Sequence, residues 1–123
     1  MANGANLLVQ KMWDVTLVTL QEPRLLDSKQ LENLGKELYK LVDEMDRKKL
    51  IVDFTKVQFL ASAAISVFLT LLKKSNAIKG TLVLCGMRKD LMQVFEITKL
   101  TKLFKFAEDE KAALKQLGYS AVG

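Results

Sequence analysis

The fold is decided by the stretch from Leu50 to Ile65, which reads LIVDFTKVQFLASAAI. Its first part, Leu50 to Phe54, is a continuous apolar run with one acid, bounded by charged residues. Such a run is typical of a central strand that is covered on both faces. The acid, Asp53, lies at the carboxyl end of this strand, and a helix begins around Ser62. The stretch therefore predicts a buried strand that leads through a loop into a helix.

The residues after Ser62 complete a strand, helix, strand unit. Apolar residues recur there at steps of three and four, which is the spacing of one helix face. These residues are Ile65, Phe68, Leu69 and Leu72. Gly80 then separates the helix from a further buried strand, Thr81 to Cys85. Because a single helix between two strands of one sheet makes a right-handed crossover, we expect Leu50 to Phe54 and Thr81 to Cys85 to be parallel neighbours.

The beginning of the chain predicts a β-hairpin. Leu7 to Val9 and Val15 to Leu20 are rich in β-forming residues, as in two adjacent strands joined around Met12 to Asp14. Pro23 is expected to stop strand pairing, because it lacks a backbone N–H. Trp13 lies near the turn, where we expect it to cover the core; the alternative is a binding hot spot.

A long amphipathic helix follows the hairpin. Asp27 or Ser28 can accept hydrogen bonds from its first free amides, and the helix runs to about Met45. Its apolar face comprises Leu31, Leu34, Leu38, Leu41, Val42 and Met45.

The last part of the chain predicts a helix, an edge strand and a closing helix. The first helix runs from Lys89 or Asp90 to Ile97 and buries Leu91, Val94 and Phe95. Leu103 to Phe106 predicts the short edge strand, and Asp109 to Leu117 predicts the closing helix.

The predicted element order is therefore β-β-α-β-α-β-α-β-α. This order indicates an α/β fold in which a mixed sheet of four to five strands is flanked by helices. The 123 residues suffice for one hydrophobic core, and no Pro- or Gly-rich linker interrupts them. We expect a single domain that spans residues 1–123.

Composition argues against an enzyme. Histidine is absent and Cys85 is the only cysteine, so neither a Ser-His or Cys-His nucleophile pair nor a zinc site can be assembled. We expect no catalytic residue, no metal and no cofactor. Paired carboxylates are the remaining route to catalysis, but most acidic residues fall on predicted helix surfaces. Cys85 itself lies in an apolar strand and is expected to be a buried, inert thiol.

Charge and hydropathy indicate the setting. The net charge of +5 is scattered over short basic clusters rather than concentrated in a stripe, so we expect no direct binding of nucleic acid. A single cysteine excludes an intramolecular disulfide, which favours the reducing cytoplasm. The chain shows no secretory signal pattern, and its longest apolar stretch, Ala63 to Leu72, is too short to cross a bilayer.

The stretch from Leu50 to Ile65 resembles the phosphorylation loop of the STAS domains, the family of bacterial anti-sigma factor antagonists. The family's usual text there is an apolar pair, Asp, Ser, Ser or Thr, Gly and Leu. Two later segments are also similar to the family: Gly80 to Met87 matches its fourth strand, and Val94 to Phe104 matches its third helix and the following turn. The resemblance covers nearly the whole chain.

The resemblance implies a set of site residues. Ser62 falls on the family's phosphorylatable serine, while Ala61, Ala63 and Ala64 stand where the family has an acid, a second hydroxyl residue and a glycine. These four residues are expected to contact the partner, and Asp27 can be laid on the last residue of the family's early Gly-Glu-Leu-Asp text. Pattern alone allows a simpler alternative, in which Ser62 only caps the helix.

The function that the resemblance implies is that of an anti-sigma factor antagonist. Unphosphorylated, the protein would bind an anti-sigma factor that is also a serine kinase and so release a sigma factor; phosphorylation of Ser62 would end binding. The kinase supplies the ATP site in that family, so no cofactor is needed. The alternative is a STAS binding or scaffold module that is never phosphorylated. As for assembly, we expect a monomer or a weak dimer.

Overall fold

The structure, a computed structural model, describes residues 6–119 of the chain. Its elements are, in chain order, β1 (Leu7–Met12), β2 (Val15–Leu20), β3 (Arg24–Leu25), α1 (Ser28–Asp43), β4 (Lys49–Asp53), β5 (Phe59–Leu60), α2 (Ser62–Ala77), β6 (Thr81–Cys85), α3 (Lys89–Ile97), β7 (Lys105–Ala107) and α4 (Glu110–Gln116). Apart from the two-residue strands β3 and β5, the elements follow the order that the sequence predicts.

A five-stranded mixed sheet organises the fold, with the strand order β1-β2-β4-β6-β7. The hairpin strands β1 and β2 are antiparallel, whereas β2, β4, β6 and β7 are parallel to their neighbours. Leu50 lies opposite Leu82 and Asp53 lies opposite Cys85, which confirms that the two buried strands are parallel neighbours. The parallel strands consequently end at one edge of the sheet.

The sheet is covered on both faces, as the apolar run of β4 predicts. Leu50 and Val52 pack into the larger hydrophobic cluster, to which α1, α2 and α3 contribute their buried residues. Ile51 and Val83 point the other way and pack in a smaller cluster with Ala113 of α4. Successive residues of a strand therefore pack into different hydrophobic clusters, because side chains alternate between the two faces of a sheet.

Two predicted boundaries are wrong. The helix α1 ends at Asp43, and Met45 lies beyond it with 44% of its surface exposed rather than on the buried face. The edge strand begins at Lys105 rather than Leu103, because Phe104 turns into the core and meets the Phe95 ring edge-on at 5.6 Å. Among the remaining predicted core residues, Leu69, Leu72 and Val94 are only half-buried.

No helix in residues 6–119 is both long enough and apolar enough to span a membrane.

Candidate partner-binding surface

A small second sheet joins the segments that precede α1 and α2. The strands β3 and β5 pair in parallel, with Arg24 opposite Phe59 and Leu25 opposite Leu60. The amides of Gln58 and Phe59 donate to the carbonyl of Pro23 at 2.7 and 3.0 Å. The hairpin strand β2 ends at Leu20, before Pro23, as expected, and Pro23 itself lies in no strand; because its carbonyl still accepts hydrogen bonds, the short strand β3 begins directly after it.

Hydrogen bonds of the same β3–β5 pairing continue up to the start of α2. The amide of Ala61 donates to the carbonyl of Leu25 at 2.9 Å, and the next residue, Ser62, is the first of the helix. Asp27 follows Leu25 by two positions. The sequence-predicted residues Asp27 and Ser62 are therefore held on neighbouring helix starts by one short ladder.

The N-terminus of α2 has no side-chain cap. Ala61 occupies the N-cap position in an extended conformation, and its methyl group cannot accept a hydrogen bond. Ser62 is exposed and lies one residue inside the helix, so the alternative that it acts as the capping residue is wrong. The amide of Ala64 donates to the Ala61 carbonyl at 2.9 Å. The amides of Ser62 and Ala63, which precede it, have no side-chain cap, and the first turn contains no acidic residue.

The N-terminus of α1 is capped in full. The Asp27 carboxylate accepts from the Gln30 amide at 3.1 Å, and the Gln30 side chain accepts from the Asp27 amide at 3.3 Å. This reciprocal pair is a capping box, which confirms Asp27 as the residue that begins the helix. Asp27 is exposed, so its carboxylate lies at the surface while it holds α1.

Large apolar side chains are exposed within three residues of each of these two helix starts. Leu26 and Phe59 are each 49% exposed, although both are large and hydrophobic. The guanidinium of Arg24 lies over the Phe59 ring, 5.2 Å from its centroid. Sequence reasoning missed these three residues, because a two-residue strand has no periodic pattern to reveal which side chain points outward. We name the whole set the Ser62 surface: Arg24, Leu26, Asp27, Phe59, Ala61, Ser62 and Ala63.

Ala64 does not belong to that surface. Its side chain is fully buried in the main hydrophobic cluster, since it lies on the core-facing side of α2. Ala63 is exposed and Ala61 is half-buried. Of the residues expected to contact a partner, Ala64 can therefore contribute only by packing the helix against the core.

The loop before β5 is fixed at the carboxyl end of β4. Asp53 is buried, and its carboxylate accepts from the Thr55 amide at 2.9 Å and from the Thr55 hydroxyl at 2.5 Å. Gly86 has a positive φ of 70°, and a Cβ there would lie 2.5 Å from the same carboxylate. Glycine adopts this φ readily and has no Cβ, so Gly86 can lie against the turn formed by Asp53 and Thr55. The loop that begins with this turn leads to Ser62.

A second group of polar side chains lies at this edge of the sheet. Asp53, Thr55, Asp109, Glu110 and Lys111 line an open depression of about 350 Å³. A hydrogen bond with Asp53, partial burial, and the charges of Asp53 and Asp109 raise the pKa of Glu110. Within residues 6–119, no group of three or more His, Cys, Asp or Glu side chains is arranged to hold a metal ion.

The thiol next to this depression is inert. Burial, followed by the charges of Asp53, Glu110 and Asp109, raises the pKa of Cys85 to about 12. The thiol therefore stays protonated at neutral pH, and a protonated thiol is a poor nucleophile. Asp53, in turn, is held by Thr55, so its carboxylate has a structural role in the turn.

Trp13 does not cover the core. It is 74% exposed at the tip of the hairpin, where it has a positive φ of 58°. Its ring stacks on Tyr119 with centroids 5.3 Å apart. The expectation that Trp13 covers the core is wrong, because this residue lies in the two-residue turn, where most of its surface is exposed and its ring contacts Tyr119 at the margin of the smaller cluster.

The chain is similar to a family of known domains. A family model described as the STAS domain matches residues 6–113. BtrV of Bordetella bronchiseptica, named as a candidate anti-sigma factor antagonist, is 31% identical over 88 residues, which are 72% of this chain and 75% of BtrV.

Two solved structures share the fold. An anti-sigma-factor antagonist (STAS) domain protein from Planctomyces limnophilus has a TM-score of 0.82 at 18% identity, covering 93% of this chain and 98% of that chain. The Bacillus cell fate determinant SpoIIAA, in a structure of its phosphorylated form, has a TM-score of 0.70 at 16% identity, covering 90% of this chain and 98% of its own.

Proposed function

The chain belongs to the STAS-domain family, and from that premise we propose that it is an anti-sigma factor antagonist controlled at Ser62. Unphosphorylated, it binds an anti-sigma factor that is also a serine kinase and thereby releases a sigma factor. Phosphorylation of Ser62 by that kinase ends the complex. It acts in the cytoplasm by protein binding, without catalysis, cofactor or direct contact with nucleic acid.

The observation that carries this proposal is the uncapped start of α2. Ser62 exposes its hydroxyl there beside backbone amides that no side chain caps. A phosphate on that hydroxyl would be stabilised by the amides and by the positive end of the helix dipole. The fold therefore tolerates the modification, as a reversible switch requires.

The apolar side chains of the Ser62 surface explain why the modification would end binding. Leu26 and Phe59 are half exposed, and burying them against a partner contributes favourable free energy that grows with the apolar area removed from water. A phosphate adds about 1.5 to 2 negative charges in the same surface. The complex would then have to desolvate that charge, so the affinity falls while the domain stays folded.

The alternative is a STAS module that binds constitutively and is never phosphorylated. The alanines at positions 61 and 63 favour this alternative. They stand where the family's phosphorylation loop usually has an acid and a second hydroxyl residue, so a kinase that recognises those side chains would not find them here. Both proposals use the Ser62 surface for binding. They differ in whether a kinase modifies Ser62, which makes phosphorylation the deciding observation.

The first experiment identifies the partner and the modification together. The tagged chain is purified from cells of its source, co-purifying proteins are identified by mass spectrometry, and phosphopeptides of the chain are mapped. The proposal expects a protein with a kinase-type ATP site among the partners and phosphate on Ser62. Phosphate on Ser66, which is exposed one turn further along α2, would contradict the assignment.

The second experiment measures affinity for the purified partner by titration calorimetry. We expect Ser62→Ala to bind as the wild type does, and Ser62→Asp to bind at least several-fold more weakly because its charge must be desolvated. Ser66→Asp is the matched control, since it adds the same charge to an exposed serine of the same helix. Equal affinity of the wild type and Ser62→Asp would overturn the switch and leave the constitutive module.

A further inference from the structure

The strand β1 forms one edge of the main sheet. Among residues 6–119 it pairs with β2 alone, and its burial is confined to its two ends, Leu7 and Met12. Leu8 and Val9 are 44% and 45% exposed. Since successive residues of a strand point to opposite faces, both faces of this edge carry an exposed apolar side chain.

The unpaired backbone groups of β1 belong to alternate residues. The amide of Gln21 donates to the carbonyl of Asn6, which marks that pair as a hydrogen-bonded one in the antiparallel ladder. Hydrogen-bonded pairs alternate along such a ladder, so Leu8 and Gln10 also face β2 with their backbone groups. Leu7, Val9 and Lys11 therefore direct their N–H and C=O groups away from the sheet.

This edge has little of the usual protection against pairing. Natural proteins protect edge strands with proline, bulges, short length or charged side chains, especially lysine. The strand β1 has six residues, is in register with β2 throughout, and contains Lys11 as its one charged residue. The opposite edge, β7, is better protected because it has only three residues; each edge carries one exposed lysine.

We propose that β1 is a dimerisation edge, which pairs antiparallel with β1 of a second copy of this chain about a two-fold axis at Val9. In this register Val9 lies opposite Val9 of the other copy, and Leu7 lies opposite Lys11. Every outward-facing residue of the strand then finds a partner, and the exposed Leu8 packs beside Gln10 of the second copy.

Charge supports this register and this occupant. Placing the axis at Lys11 would set two lysines directly opposite each other, and like charges in that position are destabilising. The axis at Val9 keeps the lysines apart at the two ends of the ladder, each beside a leucine. The strand can therefore pair with a second copy of itself without placing like charges opposite each other, in the symmetric arrangement that a two-fold interface requires.

The test uses opposite charges at the axis. A homodimer of Val9→Lys places two lysines opposite each other at the axis, and a homodimer of Val9→Glu places two glutamates there. A heterodimer formed from a mixture of the two variants places a lysine opposite a glutamate. Analytical ultracentrifugation from about 1 µM to about 1 mM should show a concentration-dependent dimer for the wild type. Each variant alone should dissociate at least tenfold more readily, and the equimolar mixture should regain the dimer.

Controls keep the result specific to β1. Lys105→Glu changes charge on the opposite edge and should leave the dimer unaffected. Should the Val9 variants fold poorly by circular dichroism, hydrogen exchange of the wild type decides: raising its concentration should slow the amides of Leu7, Val9 and Lys11 and leave those of Leu8 and Gln10 unchanged. A wild type that stays monomeric throughout, or a mixture that stays dissociated, would overturn the proposal.

Discussion

Replacing Ala61 by aspartate should stabilise the free protein. Ala61 already has the extended N-cap conformation, with φ −72° and ψ 153°, so a capping side chain can be added without moving the backbone. Asp27 shows the result at α1, where its carboxylate accepts from the third amide of the helix at 3.1 Å. We expect the carboxylate of Ala61→Asp to accept from the amide of Ala63, because the amide of Ala64 already donates to the Ala61 carbonyl.

The magnitude follows from the missing hydrogen bond. A capping residue in place of alanine is worth about 1 kcal/mol, within a range of roughly 0.5 to 2. For a chain of this size, that gain raises the thermal midpoint by about 4 °C. Thermal and urea denaturation followed by circular dichroism measure both quantities. Ala61→Asn is the matched control, because it retains the hydrogen bond without the charge and should give most of the gain.

A double-mutant cycle extends this test to Ser62. Ser62→Asp alone should leave the stability unchanged or raise it by up to about 1 kcal/mol, through the helix dipole. The two charges use the same amides, so Ala61→Asp combined with Ser62→Asp should gain less than the sum of the single changes. Unchanged midpoints for both Ala61→Asp and Ala61→Asn would refute the reasoning, since they would mean that the start of α2 has no unsatisfied donors.

Three further changes test the packing and the charges. Phe68→Ala should destabilise by roughly 3 to 5 kcal/mol, because the ring is fully buried and packs 5.0 Å from that of Phe54; an unchanged urea midpoint would contradict this. Gly86→Ala should lower the thermal midpoint, since a Cβ would overlap the Asp53 turn in a left-handed conformation; Lys79→Ala, also at positive φ but with a Cβ already present, should not. Glu110→Gln should raise stability at pH 7. Because folding raises the pKa of Glu110, the protonated side chain contributes fully to the free energy of unfolding at low pH, and this contribution is lost as the pH rises through the pKa of the folded state. The free energies of unfolding of the wild type and Glu110→Gln should therefore differ least below about pH 4.

The sequence predicts the sheet because its strands have strong patterns. Leu50 to Phe54 is apolar except for Asp53, and such a run is typical of a strand covered on both faces; the structure gives it α2 on one side and α4 on the other. The helix α1 was equally well marked, because Asp27 precedes a regular apolar spacing. The sequence does not mark the C-terminal end of α1 equally well, because Met45 continues the apolar spacing although the helix ends at Asp43.

The Ser62 surface could be predicted only in part. Ser62 and Asp27 stand out because they precede helices, whereas Phe59 and Leu26 are simply apolar residues in apparent loops. Their exposure depends on the β3–β5 ladder, which joins residues far apart in the chain through a few backbone hydrogen bonds. Ladders of this kind depend on backbone groups that every residue has, so the side-chain sequence carries little information about them.

The two long helices of the protein differ most where each begins. Both α1 and α2 have 16 residues, and both begin with a serine, yet only α1 has a capping carboxylate. An N-cap alanine forgoes about 1 kcal/mol that a single substitution could supply, and the packing of α2 does not require this loss, because Ala61 is only half-buried. The family's usual text has an acid at this position, beside its phosphorylatable serine, so the missing carboxylate is a departure of this chain from that text. The absence of a cap therefore lowers the stability of the protein and leaves the first amides of α2, beside Ser62, without a side-chain partner.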